Sequence, residues 1–277
     1  MIELGGHVVL VTGGGRGLGR AYADLFAACG ATVIVHDAGV APDGSGFDPA
    51  IADAAADAIN LSGGVAEAAY DDLGTRADCR ALVAGVVERH GRIDALVHNA
   101  GLVLRTPFDE ITPDLWSRLL SVNLEAAFWL CQELVPHMRR NRYGRIVLTT
   151  SGYGLRPADD AEDLVAYCVA KGGQFGLMNG LAFAAVDNVL VNCVSPVAAT
   201  RVYSRAAAAG ELSPEQVAPG VVYLASPACE MTGVVLRAGG GRFSTGAFDG
   251  AAGVDFGPAP ATPHMVASRW RQITHGA

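Results

Sequence analysis

The chain starts with the pattern that decides its fold, HVVLVTGGGRGLG at residues 7–19. The apolar run predicts a buried strand, and the glycines after it predict a tight turn that opens a helix at Gly17. Further strand patterns, such as Thr32–His36 and Ile146–Thr150, alternate with helical patterns downstream. Strands that alternate with helices predict an α/β fold, in which helices cover both faces of a doubly wound parallel sheet.

The composition supports a buried parallel sheet. Of the 277 residues, 51% are apolar and 17% are charged, and the mean hydropathy is +0.29. Strands buried on both faces consist of continuous apolar runs and give this composition. We predict one domain over residues 1–242 and a Gly/Pro-rich extension over residues 243–277, irregular apart from a short helix after Thr262-Pro263. This extension is either a loosely attached tail or a segment at a subunit interface or over a pocket.

The same numbers disfavour several classes of protein. A formal charge of −8 argues against a nucleic-acid partner. No apolar stretch reaches the ~18–20 residues that cross a bilayer, and the N-terminus lacks a secretory core, so we expect a cytoplasmic protein with no membrane partner. The six cysteines are scattered and the seven histidines lack zinc-ligand spacing, so we predict a reduced compartment and no metal.

The glycine-rich turn can hold a dinucleotide. Glycine lets backbone N–H groups approach a pyrophosphate, and the helix N-terminus adds unpaired donors. Asp37 ends the second strand, where a carboxylate can bind an adenosine ribose and repel a 2′-phosphate, which favours NAD over NADP. Arg16 argues the other way, because a guanidinium could pair with that phosphate. Asp71 could bind the adenine amino group, and Asn99–Gly101 could pass closely under a nucleotide.

A tyrosine and a lysine four residues apart suggest acid–base chemistry. Tyr167 and Lys171 share one face of a predicted helix. The ammonium, together with a nicotinamide cation, would lower the pKa of the phenol from about 10 toward neutrality. Ser151 could orient the substrate oxygen. Asn123 is a mediocre residue for a helix interior, so it could mark a bend and hold a water beside Lys171. The predicted catalytic residues are Asn123, Ser151, Tyr167 and Lys171.

These motifs resemble the short-chain dehydrogenase/reductase family over nearly the whole span from Leu4 to about Gly241. The resemblance is carried by Thr12-Gly13-x-x-x-Gly17-x-Gly19, Asn99-Ala100-Gly101, Asn123, Ser151 and Tyr167-x-x-x-Lys171. It implies a Rossmann-like sheet of about seven strands, NAD(P)-linked alcohol and carbonyl chemistry, and a homodimer or homotetramer. The motifs and the resemblance together give as cofactor-binding residues Gly13, Gly15, Arg16, Gly17, Leu18, Gly19, Asp37, Asp71, Asp72, Asn99, Ala100, Gly101, Tyr167, Lys171, Pro196, Ala198 and Thr200.

A closer likeness is to one branch of this family. Residues 19–23 (GRAYA), 35–39 (VHDAG) and 143–146 (YGRI) resemble the (3R)-hydroxyacyl-CoA dehydrogenase domains of peroxisomal multifunctional enzymes. Bacterial relatives of that branch include hydroxysteroid dehydrogenases. In the same branch, residues 196–201 (PVAATR) stand where most of the family has Pro-Gly.

The sequence departs from the family pattern before Tyr167. Ser151 lies sixteen positions upstream of Tyr167, whereas the family usually has thirteen. The extra residues form an acidic insertion within residues 157–164, which carries Asp159, Asp160, Glu162 and Asp163. These charges would repel a CoA diphosphate at the pocket mouth and could attract a cation; the alternative is a solvated acidic loop.

The leading hypothesis is an NAD(H)-dependent oxidoreductase that interconverts a secondary alcohol and a ketone, with the hydride chemistry supplied by the cofactor. Acyl-CoA, steroid, and smaller aryl or alicyclic substrates all remain open. The alternative from another class is a nucleotide-sensing or scaffolding protein that kept the fold and lost the chemistry. Such proteins commonly lack the tyrosine or the lysine, and both are present here.

Overall fold

The computed structural model describes residues 2–184, 188–198, 212–246, 254–256, 260 and 262–275. Its strands are β1 (Val8–Thr12), β2 (Thr32–His36), β3 (Val65–Ala69), β4 (Ala95–His98), β5 (Gly144–Thr149), β6 (Val189–Val197), β7 (Val235–Gly239) and β8 (Arg242–Gly246). Its helices are α1 (Gly17–Ala28), α2 (Ala50–Leu61), α3 (Arg76–His90), α4 (Pro113–Leu120), α5 (Ala126–Arg140), α6 (Gly152–Leu155), α7 (Val165–Ala184), α8 (Ala218–Leu224), α9 (Pro263–Ser268) and α10 (Trp270–His275).

The strands form one sheet in the order β3-β2-β1-β4-β5-β6-β7-β8. All pairings from β3 to β7 are parallel. The chain winds outward from β1 to β3 and then returns to place β4 on the other side of β1. Ligands of such sheets bind at this reversal, at the carboxyl ends of the strands. The predicted Rossmann-like doubly wound α/β fold is confirmed.

Two apolar layers cover the two faces of the sheet. Alternate residues of β1 enter different layers, since successive strand side chains point to opposite faces. Val9 and Val11 pack in the layer that includes Phe26 of α1, whereas Val8 and Leu10 pack in the layer of α3, α5 and α7. All five side chains are buried.

Local signals set the helix that leads to Asn123. The Thr112 hydroxyl accepts a hydrogen bond from the Leu115 N–H, and Pro113 occupies the first turn of α4, as predicted. A π-helical turn, Ser121–Glu125, then joins α4 to α5. This turn is the bend that the sequence predicts around Asn123. π-turns widen a helix and shift its hydrogen-bond ladder, and they are frequent at functional sites.

The eighth strand corrects one sequence prediction. Residues 243–246 were expected to be irregular, but they belong to β8, which adds one strand to the expected seven. Gly240 and Gly241 form a two-residue loop between β7 and β8, with φ angles of 57° and 73°. Hairpin turns of the primed types require such positive φ angles, and a Gly-Gly pair supplies them.

Two compact units divide the chain, residues 1–245 and residues 246–277. In the second unit, Thr262 caps α9 by accepting a hydrogen bond from Met265, as predicted, and Arg269 lies 5.8 Å from the ring centroid of Phe256. The predicted division into residues 1–242 and 243–277 stays a prediction. Within the described residues, no helix is long and apolar enough to span a bilayer.

Candidate active site

The carboxyl ends of the central strands surround one large cavity. Its volume is about 1330 Å³, and its walls include the glycine turn after β1, the Asn99–Gly101 segment after β4, and Tyr167 and Lys171 of α7. The charged side chains of the described wall, apart from Lys171, include Arg16, Arg105, Arg118, Arg156, Arg237 and Arg242, and Asp37, Asp71, Asp72 and Asp160. The described wall therefore carries more cations than carboxylates, although the chain has a formal charge of −8.

The glycine turn and the segment after β4 are packed directly against each other. The Thr12 hydroxyl accepts hydrogen bonds from the backbone N–H groups of Asn99 and Ala100, both at 3.1 Å. The Asn99 amide donates to the carbonyl of Gly13 at 3.1 Å. Gly13 has a φ of 63°, and a Cβ there would lie 2.9 Å from the Ala100 Cα, so no side chain fits.

The start of α1 is suited to an anionic group. Its N-cap residue, Arg16, makes no side-chain hydrogen bond to the first turn, so the first N–H groups of the helix keep their capacity to donate. The Arg16 Nη2 instead donates to the carbonyl of Val40 at 2.9 Å. Uncapped donors and the positive end of a helix dipole fit the pyrophosphate of a dinucleotide.

Asp37 lines the cavity but also supports the turn. Its two carboxylate oxygens accept hydrogen bonds from the N–H groups of Gly15, at 3.0 Å, and Gly39, at 2.8 Å. Its side chain is mostly buried, with 8% of the residue exposed. A carboxylate can accept about four hydrogen bonds, so Asp37 keeps capacity for a ribose hydroxyl.

A buried histidine positions the next carboxylate segment. The Nε2 of His36 lies 2.8 Å from the backbone carbonyl oxygen of Asp71. Because a carbonyl oxygen only accepts hydrogen bonds, Nε2 carries the proton and donates it. Burial lowers the pKa of His36, so the ring is neutral near pH 7. The Asp72 carboxylate accepts a hydrogen bond from the Gly74 N–H at 2.9 Å. Asp71 and Asp72 both line the cavity.

Lys171 is buried beneath the cavity. It is 3% exposed, and its Nζ donates to the Thr149 carbonyl at 2.8 Å and lies 5.6 Å from the ring centroid of Tyr167. Burial lowers its pKa to about 8. Most molecules therefore keep the ammonium at pH 7. Lys171 is also the only lysine in the sequence. The other members of the set of 20 lysines and arginines are all arginines.

Tyr167 is a weak acid in the protein without a cofactor. Burial raises the pKa of this phenol to about 12, while a hydrogen bond with Ser151 opposes the rise. Lys171 alone thus does not bring the phenol toward neutrality in the protein without a cofactor. The physical reason is desolvation, which disfavours the charged phenolate.

Ser151 and Asn123 lie on the same cavity wall. Ser151 caps α6 by accepting from the Tyr153 N–H at 3.3 Å. Asn123 is fully buried, and its Nδ2 donates to the carbonyls of Leu102 and Leu119, both at 3.0 Å. Its Oδ1 is buried without a partner among the described residues. An unpaired buried acceptor of this kind is a natural site for an ordered water.

The acidic insertion is folded against the cavity rim. Arg105 binds Asp163 through a 2.6 Å ion pair, and the Tyr153 hydroxyl donates to Asp160 at 2.8 Å. Of the four acidic side chains in the insertion, Asp160 lines the cavity in the described structure. Two of the expected rim charges are therefore engaged with neighbouring side chains, which weakens the predicted repulsion of a diphosphate.

Most of the residues predicted from the sequence line this cavity. Gly15 and Gly19 do not, and instead shape the turn: a Cβ on Gly19 would lie 2.0 Å from the Gly13 carbonyl oxygen. Thr200 lies outside the described residues. Sequence reasoning missed His36, Tyr153 and Gln174. The first two stand beside predicted residues, but nothing in the sequence links Gln174 to its partner, because the two are 51 positions apart.

The sequence profile of the short chain dehydrogenase family matches residues 7–208. The chain belongs to the short-chain dehydrogenase/reductase family. The resemblance inferred from the motifs is thereby confirmed. Members of this family are oxidoreductases that bind NAD(P). In the described part of this chain, no group of three or more His, Cys, Asp or Glu side chains could hold a metal ion.

Two curated relatives cover nearly the whole chain. A short-chain type dehydrogenase/reductase of Mycobacterium tuberculosis is 35% identical over 97% of this chain and 94% of its own length. The peroxisomal multifunctional enzyme type 2 of Mus musculus is 34% identical over 98% of this chain. The chain spans 37% of that mouse enzyme, which is therefore a longer protein.

Two solved structures share the fold at a similar identity. A short chain dehydrogenase from Mycobacterium avium superposes with a TM-score of 0.83 and 31% identity, covering 98% of this chain and 95% of that one. A metagenomic short-chain oxidoreductase in complex with NADP has a TM-score of 0.70 and 31% identity, covering 83% of this chain and 95% of its own.

Proposed function

We propose that this chain is an NAD(H)-dependent oxidoreductase that interconverts a secondary alcohol and a ketone. The observation that carries the proposal is the shared cavity: the uncapped N-terminus of α1 and the Tyr167–Lys171 pair lie on its walls. A cofactor held at the first would have its reactive ring available to a substrate held at the second. The bound cofactor supplies the acceptor or donor of a hydride.

In the oxidising direction, the alcohol loses a hydride and a proton and becomes a ketone. Tyr167 as phenolate accepts the hydroxyl proton, and the Ser151 hydroxyl donates a hydrogen bond that orients the substrate oxygen. Lys171 stabilises the phenolate because its ammonium is 5.6 Å from the ring centroid. The phenolate is restored when the proton on Tyr167 passes to Lys171 while the ammonium gives one of its own protons to a water at the unpaired Oδ1 of Asn123, which passes it toward solvent. In the reducing direction the same groups act in reverse.

The raised pKa of Tyr167 shows how much the bound cofactor would have to stabilise the phenolate. The phenol has a pKa of about 12 in the protein alone, and Lys171 has a pKa of about 8. A positive charge close to the phenol favours its ionised form, so an oxidised nicotinamide would lower the pKa further. Below pH 8 the ammonium is in place to contribute to this effect.

Replacement of Tyr167 with Phe tests the proposal. We expect Y167F to bind NADH with nearly wild-type affinity in a fluorescence titration and to lose turnover with a panel of ketones. Tyr70→Phe is a matched control, because it removes a surface hydroxyl that bonds Asp53 at 2.6 Å, and it should keep full activity. Wild-type turnover by Y167F would overturn the assigned role. Binding of NADH by the unmodified protein without turnover of any ketone would favour the sensor or scaffold alternative.

The preference for NAD is proposed from Asp37. Its buried carboxylate lines the cavity, and a second negative charge from a 2′-phosphate would be repelled there. Arg16 and the relative with bound NADP support the opposite choice. Asp37→Asn removes the charge but keeps an acceptor for the turn. We expect it to raise the ratio of NADPH to NADH turnover at least tenfold, and an unchanged ratio would overturn the assignment.

Within this activity, a 3-hydroxyacyl-CoA or a hydroxysteroid is the more specific alternative. The branch resemblance supports both substrates. The arginines of the cavity wall favour an anionic substrate such as an acyl-CoA, because Arg105 already pairs with Asp163 of the insertion and the wall adds the cations of Arg118 and Arg156. Reduction of acetoacetyl-CoA compared with a neutral steroid ketone, each at matched NADH, separates the two.

A homodimer or homotetramer and a cytoplasmic location remain proposals. Apolar side chains on two long helices support self-association: Phe128 of α5 is 42% exposed and Phe183 of α7 is 89% exposed. Light scattering after gel filtration measures the mass directly. Relatives include a peroxisomal enzyme, so fractionation of cells that express the chain is needed to test the location.

A further inference from the structure

A buried glutamine joins the helix of Lys171 to the turn of Asn123. Gln174 lies on α7, three residues after Lys171, and is fully buried. Its Nε2 donates a hydrogen bond to the backbone carbonyl of Asn123, within the π-turn Ser121–Glu125. Gln174 does not line the cavity, so it can act on the site only through the residues that it holds. A buried amide that bonds across two elements fixes their relative position.

The side chain of Asn123 is fixed at the same time. Its Nδ2 is used by the carbonyls of Leu102 and Leu119, so its Oδ1 must point away from both. That oxygen lies 2.5 Å from the position that a Cβ on Gly101 would occupy, and Lys171 Nζ lies 3.5 Å from the same position. The unpaired oxygen and the ammonium therefore border one small space. They make no direct hydrogen bond, so a water is the group that would bridge them.

We propose that Gln174 is a positioning residue of the active site. By holding the Asn123 backbone, it directs the unpaired Oδ1 at the ammonium of Lys171. The inference rests on the proposed function for its catalytic meaning, but its structural part concerns Lys171 alone. If the hydrogen bond is lost, the π-turn relaxes, Oδ1 moves away from the space beside the ammonium, and the charged form of Lys171 loses a nearby partial negative charge.

The groups around Lys171 set the direction of the expected change. Tyr167 faces it from α7, Cys193 from β6 and His98 from β4. Burial raises the pKa of Cys193 and lowers that of His98, so both are neutral near pH 8 and neither adds a negative charge beside Lys171. Loss of the Asn123 oxygen should therefore lower the pKa of Lys171 below its present value of about 8.

The single lysine makes this measurable without any substrate or cofactor. Protein labelled with ¹³C at the lysine ε carbon gives one side-chain signal, and its titration reports the pKa of Lys171. Gln174→Met keeps the length of the side chain and removes the donor. Asn192→Leu is the matched control, because Asn192 is another fully buried amide, bonded to the Met231 carbonyl at 2.7 Å and outside the cavity wall.

We expect Q174M to lower the titration midpoint of Lys171 by at least half a pH unit, and N192L to leave it unchanged despite a similar loss of stability. Wild-type titration in Q174M overturns the proposal. If Q174M does not fold, Gln174→Asn, which is too short to reach the Asn123 carbonyl, is measured in its place against the same criterion. A shifted midpoint in both Q174M and N192L would also overturn it, since general destabilisation would then be the cause.

Kinetics provide a second, separate readout. With an active alcohol substrate, Q174M should lower kcat at pH 7 about tenfold, move the pH profile of oxidation to higher pH and leave the KM for NAD unchanged. If the unmodified protein oxidises no alcohol, the proposed function fails while the titration still tests Gln174. If the protein is active and Q174M matches it in kcat and pH profile, the positioning role fails while the proposed function stands.

Discussion

The side-chain amide of Asn99 donates a 3.1 Å hydrogen bond to the backbone carbonyl of Gly13. This bond joins the ends of β1 and β4, the two strands that flank the reversal in strand order. The glycine turn is therefore held by a side chain from another strand and not by its own sequence alone. Dinucleotide binding should depend on that hydrogen bond.

Replacing Asn99 with Leu keeps the approximate size of the side chain and removes its donor. We expect NADH to bind roughly three- to tenfold more weakly, since a hydrogen bond of this kind contributes about 1 kcal/mol. Fluorescence titration measures the Kd. Asn60→Leu is the control: Asn60 bonds the Ala66 backbone at the surface and lies outside the cavity wall. Equal affinities for the N99L and wild-type proteins would contradict the prediction.

Acid should destabilise the fold through His98. The ring is fully buried, and its Nδ1 lies 3.0 Å from the Thr12 hydroxyl oxygen, which already accepts two backbone hydrogen bonds and therefore donates its proton to the ring. Burial lowers the pKa of the ring from 6.5 to about 3. Between these values the unfolded chain binds one more proton than the folded chain. The stability is therefore fully present above pH 6.5 and decreases toward pH 3, by about 1.4 kcal/mol per pH unit for this residue.

His98→Asn removes that titration and keeps a hydrogen-bond acceptor for Thr12. We expect the free energy of unfolding in urea to fall less steeply between pH 6.5 and pH 4 in H98N than in the wild type. His36 adds a dependence of the same sign in both proteins, because burial lowers its pKa as well. Parallel pH curves for the two proteins would show that His98 does not titrate in this way.

Much of the fold follows from local sequence. The glycine turn, the Thr112-Pro113 helix start and the four-residue spacing of Tyr167 and Lys171 each act within one element, so their positions were predicted from short patterns. The strand β8 was missed although Gly240-Gly241 is a hairpin signal. The high Gly and Pro content of residues 243–263 predicts irregular structure, whereas the hairpin depends on these two glycines alone.

The remaining features of the site depend on contacts between distant residues. Gln174 has no distinguishing neighbours in sequence, and its importance comes from a carbonyl on another helix. The pKa of Tyr167 in the protein without a cofactor could not be read from its spacing to Lys171, because it is raised by burial, which depends on the whole fold. The ion pair of Arg105 with Asp163 likewise required the fold, since 58 positions separate the two residues.

Because Gly101 has no side chain, a space remains beside the Asn123 Oδ1 and the Lys171 Nζ. A Cβ at this position would lie 2.5 Å from Asn123 Oδ1, which is closer than a non-bonded contact allows. We expect Gly101→Ala to lower kcat for NADH-dependent reduction of a ketone by about tenfold or more, because it displaces Asn123. Gly176→Ala serves as the control, since a Cβ there meets no atom within 4 Å and a helical alanine should stabilise α7 slightly. A fully active G101A would show that this space is not used.

The ion pair between Arg105 and Asp163 ties the acidic insertion to the rim of the cavity. The two side chains are 40% and 30% exposed, so the pair contributes little to global stability and is weakened by salt. Its effect should be local: Arg105→Met should expose residues 157–164 to faster cleavage by proteinase K and change the KM for the ketone several-fold, with the melting temperature almost unchanged. Arg20→Met is the control, because it breaks a surface pair with Asp24, and neither side chain lines the cavity. If R105M and R20M are cleaved at the same rate and share one KM, the insertion is not held by Arg105.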